Sequence, residues 1–204
     1  GMMDTILNLG LNEKTVEGFA QQTKNPRFSW DSYRRFIQLF GKVVFGVNDE
    51  KFDHVLDSAK KKQGVADDSK LNVESLKKIV SEYKKICEKH TKRKFPDTPN
   101  EQLGLAIEAV FKSWMGERAI VYREKNNITK DIANGTAVNV VTMVFGNMGD
   151  DSATGVVFTR NGSNGKKEIE GEYLINAQGE DVVAGVRTGK NVDLLKKEMP
   201  KSHK

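Results

Sequence analysis

The chain has 204 residues, 37% hydrophobic and 30% charged, a mixture that suits one large domain or two small lobes and excludes a disordered polar chain. No apolar run reaches the ~18 residues of a membrane span, and the opening GMMDTILNLG lacks the basic-then-apolar layout of a secretory signal. The net charge of +5 is local: residues 51–95 hold 13 Lys/Arg against 7 Asp/Glu, and the remainder is slightly acidic. Those lysines alternate with apolar positions of helical patterns and fill solvated faces, so neither nucleic acid nor a membrane is expected as a partner. A single cysteine, Cys87, permits no internal disulfide, which fits a reducing, cytoplasmic setting.

Beyond an opening segment, residues 1–10, the first half reads as helices. Thr15 to Gln22 is helical in pattern, and Asn25-Pro26 breaks it. Asp31 is the expected N-cap of a helix over Ser32–Phe40, where Tyr33, Phe36, Ile37 and Phe40 recur at helical spacing. Asp49 starts a further helix through Phe52, Val55, Leu56 and Ala59, ended by Gly64. Asn72 caps a helix over Val73–His90, with Leu76, Ile79, Val80, Tyr83, Ile86 and Cys87 on one stripe. Such periodic apolar residues are expected to be core.

The stretch Phe95-Pro96-Asp97-Thr98-Pro99 reads as a linker, residues 96–99, followed by a helix over Asn100–Met115 that turns Leu103, Ile107, Val110, Phe111 and Trp114 inward. The period then changes. Thr136–Phe145 and Gly155–Thr159 are rich in Val, Thr and Phe and read as strands. Asn161 to Gly165 is a turn, so Gly155–Thr159 and Lys167–Ile175 are expected to pair as a hairpin. Val182–Val186 begins the exit, and the charged tail, 189–204, is expected to fray at its end. The fold class is therefore α+β: a helical subdomain over 11–95, then an α+β subdomain with an antiparallel β-rich lobe over 100–188.

Candidate chemistry concentrates between Met143 and Gly185. The loop GNMGDDSA lies between two apolar β-rich stretches, and a third, GEYLINA, ends at Gln178-Gly179-Glu180-Asp181. A Gly-, Ser- and Asp-rich loop between strands offers free backbone N–H groups and small side chains, as a polyphosphate cradle requires. Most glycine-rich hairpins are only turns, so the loop alone decides little. Arg34 and Arg35 could fork onto an anion of a partner domain or form salt bridges within the lobe, and Arg118 and Arg123 carry the same ambiguity. Glu168, Glu170 and Glu172 alternate along a strand as a solvated acidic row. His54 and His90 read as helix-surface residues and His203 as part of the tail.

Long ordered blocks resemble one family, pyruvate phosphate dikinase. They are GMMDTILNLGLNEKTVEGFA, NPRFSWDSYRRFIQLFG, FPDTPNEQL, AIEAVFKSWMGERAIVYRE and the segment from Met143 onward. The resemblance implies an ATP-grasp nucleotide-binding domain that passes the β-phosphate of ATP to a histidine on a swivelling domain, from which a barrel domain transfers it to pyruvate. It also implies Mg2+ with ATP, a homodimeric parent enzyme, and the phosphohistidine domain and pyruvate-binding barrel of the same chain as partners. An adenine hinge falls on Val141-Thr142-Met143-Val144, with contacts from the backbone. Where the family carries a glutamine this chain has Val141. The loop over the phosphates falls on Asp150, Asp151, Ser152, Ala153, Thr154 and Gly155. Glu180, next to Asp181, falls where a carboxylate accepts hydrogen bonds from the ribose or amino group. The implied ATP-binding residues are thus Val141, Met143, Asp150, Ser152, Thr154, Gly155, Glu180 and Asp181.

None of the three histidines lies in a Gly-Thr-Ser-His type segment, so no catalytic residue is expected here, and no protein metal ligand. The family's early lysine segment, its Val-Arg-Ser segment and its late magnesium-binding strand are absent too. The expectation is an internal piece of the enzyme, inactive alone. The alternatives are the nucleotide-binding domain of a phosphoenolpyruvate synthase and a non-catalytic interaction module.

Overall fold

A computed structural model describes residues 3–183 and 188–200. The chain divides into two compact units, residues 1–141 and 142–204. The first unit is helical: α1 (Glu13–Thr23), α2 (Pro26–Val43), α3 (Glu50–Gln63), α4 (Val73–Thr91), α5 (Pro99–Ser113) and α6 (Glu117–Lys125). The second holds β1 (Ala153–Phe158), β2 (Glu170–Ile175), α7 (Gly179–Val183), β3 (Lys190–Asn191) and α8 (Leu195–Glu198). Helices and a small antiparallel sheet make this an α+β chain. Among the described residues no helix is long and apolar enough to cross a membrane.

Local chemistry sets most helix boundaries. Asn12 caps α1: its side chain accepts from the Thr15 N–H, and the Thr15 hydroxyl accepts from the Asn12 N–H at 2.8 Å. Asn72 caps α4 with its side chain accepting from the Ser75 N–H, while its own N–H donates to Gln63 Oε1, and Gly64 ends α3 in a left-handed conformation. Helix α2 starts six residues earlier than the sequence suggests. Asn25 is its N-cap, accepting from the Phe28 N–H, and Pro26 takes the first helical position, where a missing N–H costs nothing. Asp31 is therefore not a cap: it lies inside α2, buried.

The core of the first unit lies between α2 and α4, with α1 and α3 against them. Tyr33, Phe36, Ile37 and Phe40 of α2 and Leu76 and Tyr83 of α4 are fully enclosed, each burial contributing about 1.5–3 kcal/mol against conformational entropy. Phe36, Phe40, Phe45 and Phe95 form an aromatic cluster with mostly edge-on contacts. Cys87 is buried in this core, and burial pushes its thiol up to about 12. His54 and His90 are exposed.

Helix α5 presents a different face from the expected one. Gln102, Ala106 and Ala109 are buried, whereas Phe111 is 49% exposed. Gln102 decides the orientation: Oε1 accepts from the Gly10 N–H at 2.9 Å, and Nε2 donates to the Leu11 and Pro96 carbonyls, each at 3.0 Å. A fully enclosed carboxamide with three bonds is held more firmly than an apolar side chain of the same size. It ties the opening segment and the stretch before α5 to one helix, so residues 96–99 lie within the first unit and the division falls at Val141.

In the second unit, β1 pairs antiparallel with β2, with Ala153 opposite Ile175 and Phe158 opposite Glu170. The Asn161 side chain shapes the connecting turn by accepting from the Ser163 and Asn164 N–H groups. The Val/Thr-rich stretch expected to be a strand, 136–145, is not one; Val140, Val141 and Val144 are exposed. The tail carries structure within residues 188–200, and the end expected to fray, residues 201–204, lies outside the described residues. Strand β3 pairs with Glu172 and Tyr173 of β2, and Glu198 of α8 accepts from the Tyr173 hydroxyl and the Lys190 ammonium, each at 2.8 Å. Lys190 and Tyr173 hold the Glu198 carboxyl below its usual range. The exit expected over Val182–Val186 starts inside α7; residues 184–187 lie outside the described residues, as does His203.

Candidate nucleotide site

The Gly146–Ser152 loop is clamped at both ends to the end of β2. The Ala177 N–H donates to the Gly146 carbonyl at 2.9 Å, and the Asn176 N–H donates to the Ser152 carbonyl at 2.8 Å. Gly146 is required by close approach: a Cβ there would lie 2.5 Å from the Ala177 carbonyl oxygen and 2.7 Å from that of Ala153. Between the clamps Met148, Asp150 and Asp151 are exposed, and the Ser152 N–H donates to the Gly149 carbonyl. The Ser152 hydroxyl donates to Asp151 at 3.4 Å. The loop is thus a short, anchored arch with a polar crest.

Strand β1 leaves the arch directly. Thr154 is half-buried opposite Leu174, and Gly155 lies opposite Tyr173. A Cβ on Gly155 would meet the Glu172 carbonyl oxygen at 2.6 Å, so the pairing admits no side chain at that position. At the same end of β2, just past the clamps, Gln178 leads into α7. The Asp181 side chain accepts from the Gln178 N–H at 2.8 Å while the Asp181 N–H donates to the Gln178 carbonyl at 3.0 Å. Asp181, 8% exposed, therefore anchors this turn, whereas Glu180 is half-buried beside it. The small core under the arch is Leu174, Ala177 and Val182, with Val156 against it.

The expected nucleotide residues fall in three groups. Asp150, Ser152, Thr154 and Gly155 share the arch and the first residues of β1, and Glu180 and Asp181 share α7. Met143 is half-buried at the start of the second unit, whereas Val141, 77% exposed, is the last residue of the first. One residue of the arch escaped the sequence reading. Asn147 is buried, and its Oδ1 has no hydrogen-bond partner. Its place between two loop glycines was the available signal. Among the described residues no group of three or more His, Cys, Asp or Glu could hold a metal ion.

The arginines in SYRRF are absorbed by the fold. Arg34 donates to Asp31 at 2.6 Å and to Asp68 at 3.0 Å, and Arg35 reaches the same two carboxylates. Arg123 stacks on the Trp114 ring at 3.9 Å and donates to the Trp114 carbonyl, and Arg118 faces Asp4 at 3.7 Å. Glu170 accepts from the Gly162 N–H.

Residues 1–203 match the family model described as "Pyruvate phosphate dikinase, AMP/ATP-binding domain". The chain is 54% identical over 205 residues to a pyruvate, phosphate dikinase of Clostridium symbiosum, covering 100% of this chain and 23% of that protein. It is 55% identical over 188 residues to the dikinase of Entamoeba histolytica, covering 92% and 21%. It is 51% identical over 203 residues to a chloroplastic dikinase of Arabidopsis thaliana, covering 100% and 21%. The chain thus spans 21–23% of the length of these relatives. With the family model matched over all but its last residue, the chain belongs to the pyruvate phosphate dikinase AMP/ATP-binding domain family.

Proposed function

We propose that this chain is the ATP-binding part of a pyruvate phosphate dikinase, contributing to the reaction ATP + phosphate + pyruvate = AMP + diphosphate + phosphoenolpyruvate. The family match over residues 1–203 carries the proposal, and the anchored arch supports it. In this reading Val141 and Met143 lie along the adenine hinge. Asp150, Ser152, Thr154 and Gly155 form the phosphate loop, where close backbone approach and the Ser and Thr hydroxyls serve phosphate oxygens. Glu180 accepts from the ribose or amino group, and Asp181 holds the turn that presents it. Mg2+ would arrive with ATP and neutralise phosphate charge.

The phosphorylated histidine and the pyruvate site belong to other domains of the parent enzyme, a cytoplasmic homodimer in this reading. The chain alone binds nucleotide and does not turn over. Titration of Mg-ATP by calorimetry tests the reading. Glu180→Ala should weaken binding about tenfold, the value of one lost hydrogen bond to a carboxylate. Equal affinity in the variant would remove Glu180 from the site, and turnover of pyruvate by this chain would refute its inactivity.

A further inference from the structure

The Asn147 side-chain oxygen has no partner in the fold. The residue is 8% exposed, and Oδ1 is buried. An orphaned buried acceptor costs about 1–3 kcal/mol, and folded proteins keep few of them. The backbone cannot relieve it. Gly146 is wedged between the Ala177 and Ala153 carbonyls, and Ser152 is clamped by Asn176. The side-chain torsions of Asn147 are the remaining freedom.

An acceptor awaiting a partner selects among the parts of a nucleotide. Phosphate oxygens at neutral pH carry no hydrogen to give, whereas the ribose hydroxyls and the adenine amino group do, and position decides between those two. Asn147 also stands three residues after Val144, the last of the hinge segment, and three before Asp150, the first of the phosphate loop. A chain that serves the base at one end and the phosphates at the other passes the sugar between them. We propose that Asn147 is a nucleotide-positioning residue: its carboxamide turns out of the arch to accept a hydrogen bond from one ribose hydroxyl. The inference rests on the nucleotide-site reading above.

The test compares wild type with Asn147→Leu, of similar size and without the acceptor. ATP, 2′-deoxy-ATP and 3′-deoxy-ATP are titrated by calorimetry in the presence of Mg2+, and both proteins are melted without nucleotide. The variant should bind ATP about tenfold more weakly and melt at the same or a higher temperature, because the orphan is gone. It should also lose the wild-type discrimination against one deoxy analogue, since removing either half of one hydrogen bond makes removal of the other cost nothing further. Unchanged ATP affinity, or unchanged discrimination against both analogues, overturns the inference. Should the leucine variant fail to fold, Asn147→Ala is held to the same discrimination criterion. The outcomes separate the two claims: wild-type binding that Glu180→Ala weakens but Asn147→Leu leaves intact sinks only the role of Asn147. Wild type binding none of the three nucleotides sinks the nucleotide-site reading of this chain, and the inference with it.

Discussion

Arg34 shares a nearly dry site with two carboxylates, Asp31 on its own helix and Asp68 on the short 3-10 helix before α4. Burial raises the Asp31 pKa, but Arg34, Arg35 and Arg27 outweigh it and hold the carboxyl below its ordinary value of 3.8. A carboxyl held low stabilises the fold above its unfolded pKa, and that contribution is lost as the pH falls through the folded one. Asp68 has the opposite sign: burial leads and lifts it above 3.8 despite Arg34. Its contribution is present at low pH and lost as the pH rises through its folded value. Arg34→Met should therefore destabilise the first unit by about 3 kcal/mol at pH 7, the lower end for a broken buried pair, because Arg35 still reaches Asp31 at 3.4 Å. The variant should also lose less stability than wild type as the pH falls below 3.8, because the folded Asp31 of wild type titrates beneath that value. Urea melts from pH 7 to pH 3 measure both; a shallower loss in wild type would contradict the assignment. The spacing of Asp31 and Arg34, one helical turn apart, was visible in the sequence. That the turn faces inward was not, because Asp at a helix start is the commoner pattern and Asn25-Pro26 had read as a break rather than a beginning.

At the scale of elements, caps were the most legible feature, since Asn72, Gly64 and the Asn161 turn act through bonds to residues a few positions away. Elements that depend on distant partners were not. Val and Thr in 136–145 announce a residue type that fits a half-buried pleated surface, and no described strand pairs there. The inward face of α5 depends on Gln102 bonding to Gly10 and Leu11, more than 90 residues away, which periodicity cannot register. The arch was legible as a glycine-rich loop, but its anchoring on Asn176 and Ala177 was not. That anchoring predicts a sharp effect of Gly146→Ala. The new methyl would sit 2.5 Å from a backbone carbonyl oxygen rather than a movable side chain, so the arch must lift. The cost should be about 1–3 kcal/mol of overpacking, with faster exchange of the Ala177 amide, whose acceptor is the Gly146 carbonyl. Protection at Ala177 equal to wild type would mean that the clamp tolerates the methyl.

Across the whole chain the two units differ in how much they bury. The first encloses a continuous cluster running from Val16 to Ala106, with five fully buried aromatic rings. The second encloses Leu174, Ala177 and Val182 and leaves Val157, Phe158 and Ile169 exposed. Neither composition nor periodicity forecast this imbalance; the family resemblance supplied the expected role of 142–204, whereas its small core emerged only from the structure. Local opening free energy follows buried apolar contact, so hydrogen exchange should resolve two classes of amide. Those of α2 and α4 should exchange near the global unfolding limit, and those of β1, β2 and α7 orders of magnitude sooner. A ligand that binds only the closed arrangement stabilises it by mass action, about 2.7 kcal/mol at a hundredfold excess over Kd. Saturating Mg-ATP should therefore slow exchange about a hundredfold at residues 146–155 and 176–181, with little change in α2 and α4. Uniform protection without nucleotide would refute the imbalance. Protection by Mg-ATP confined to the helical unit would place the nucleotide away from the arch.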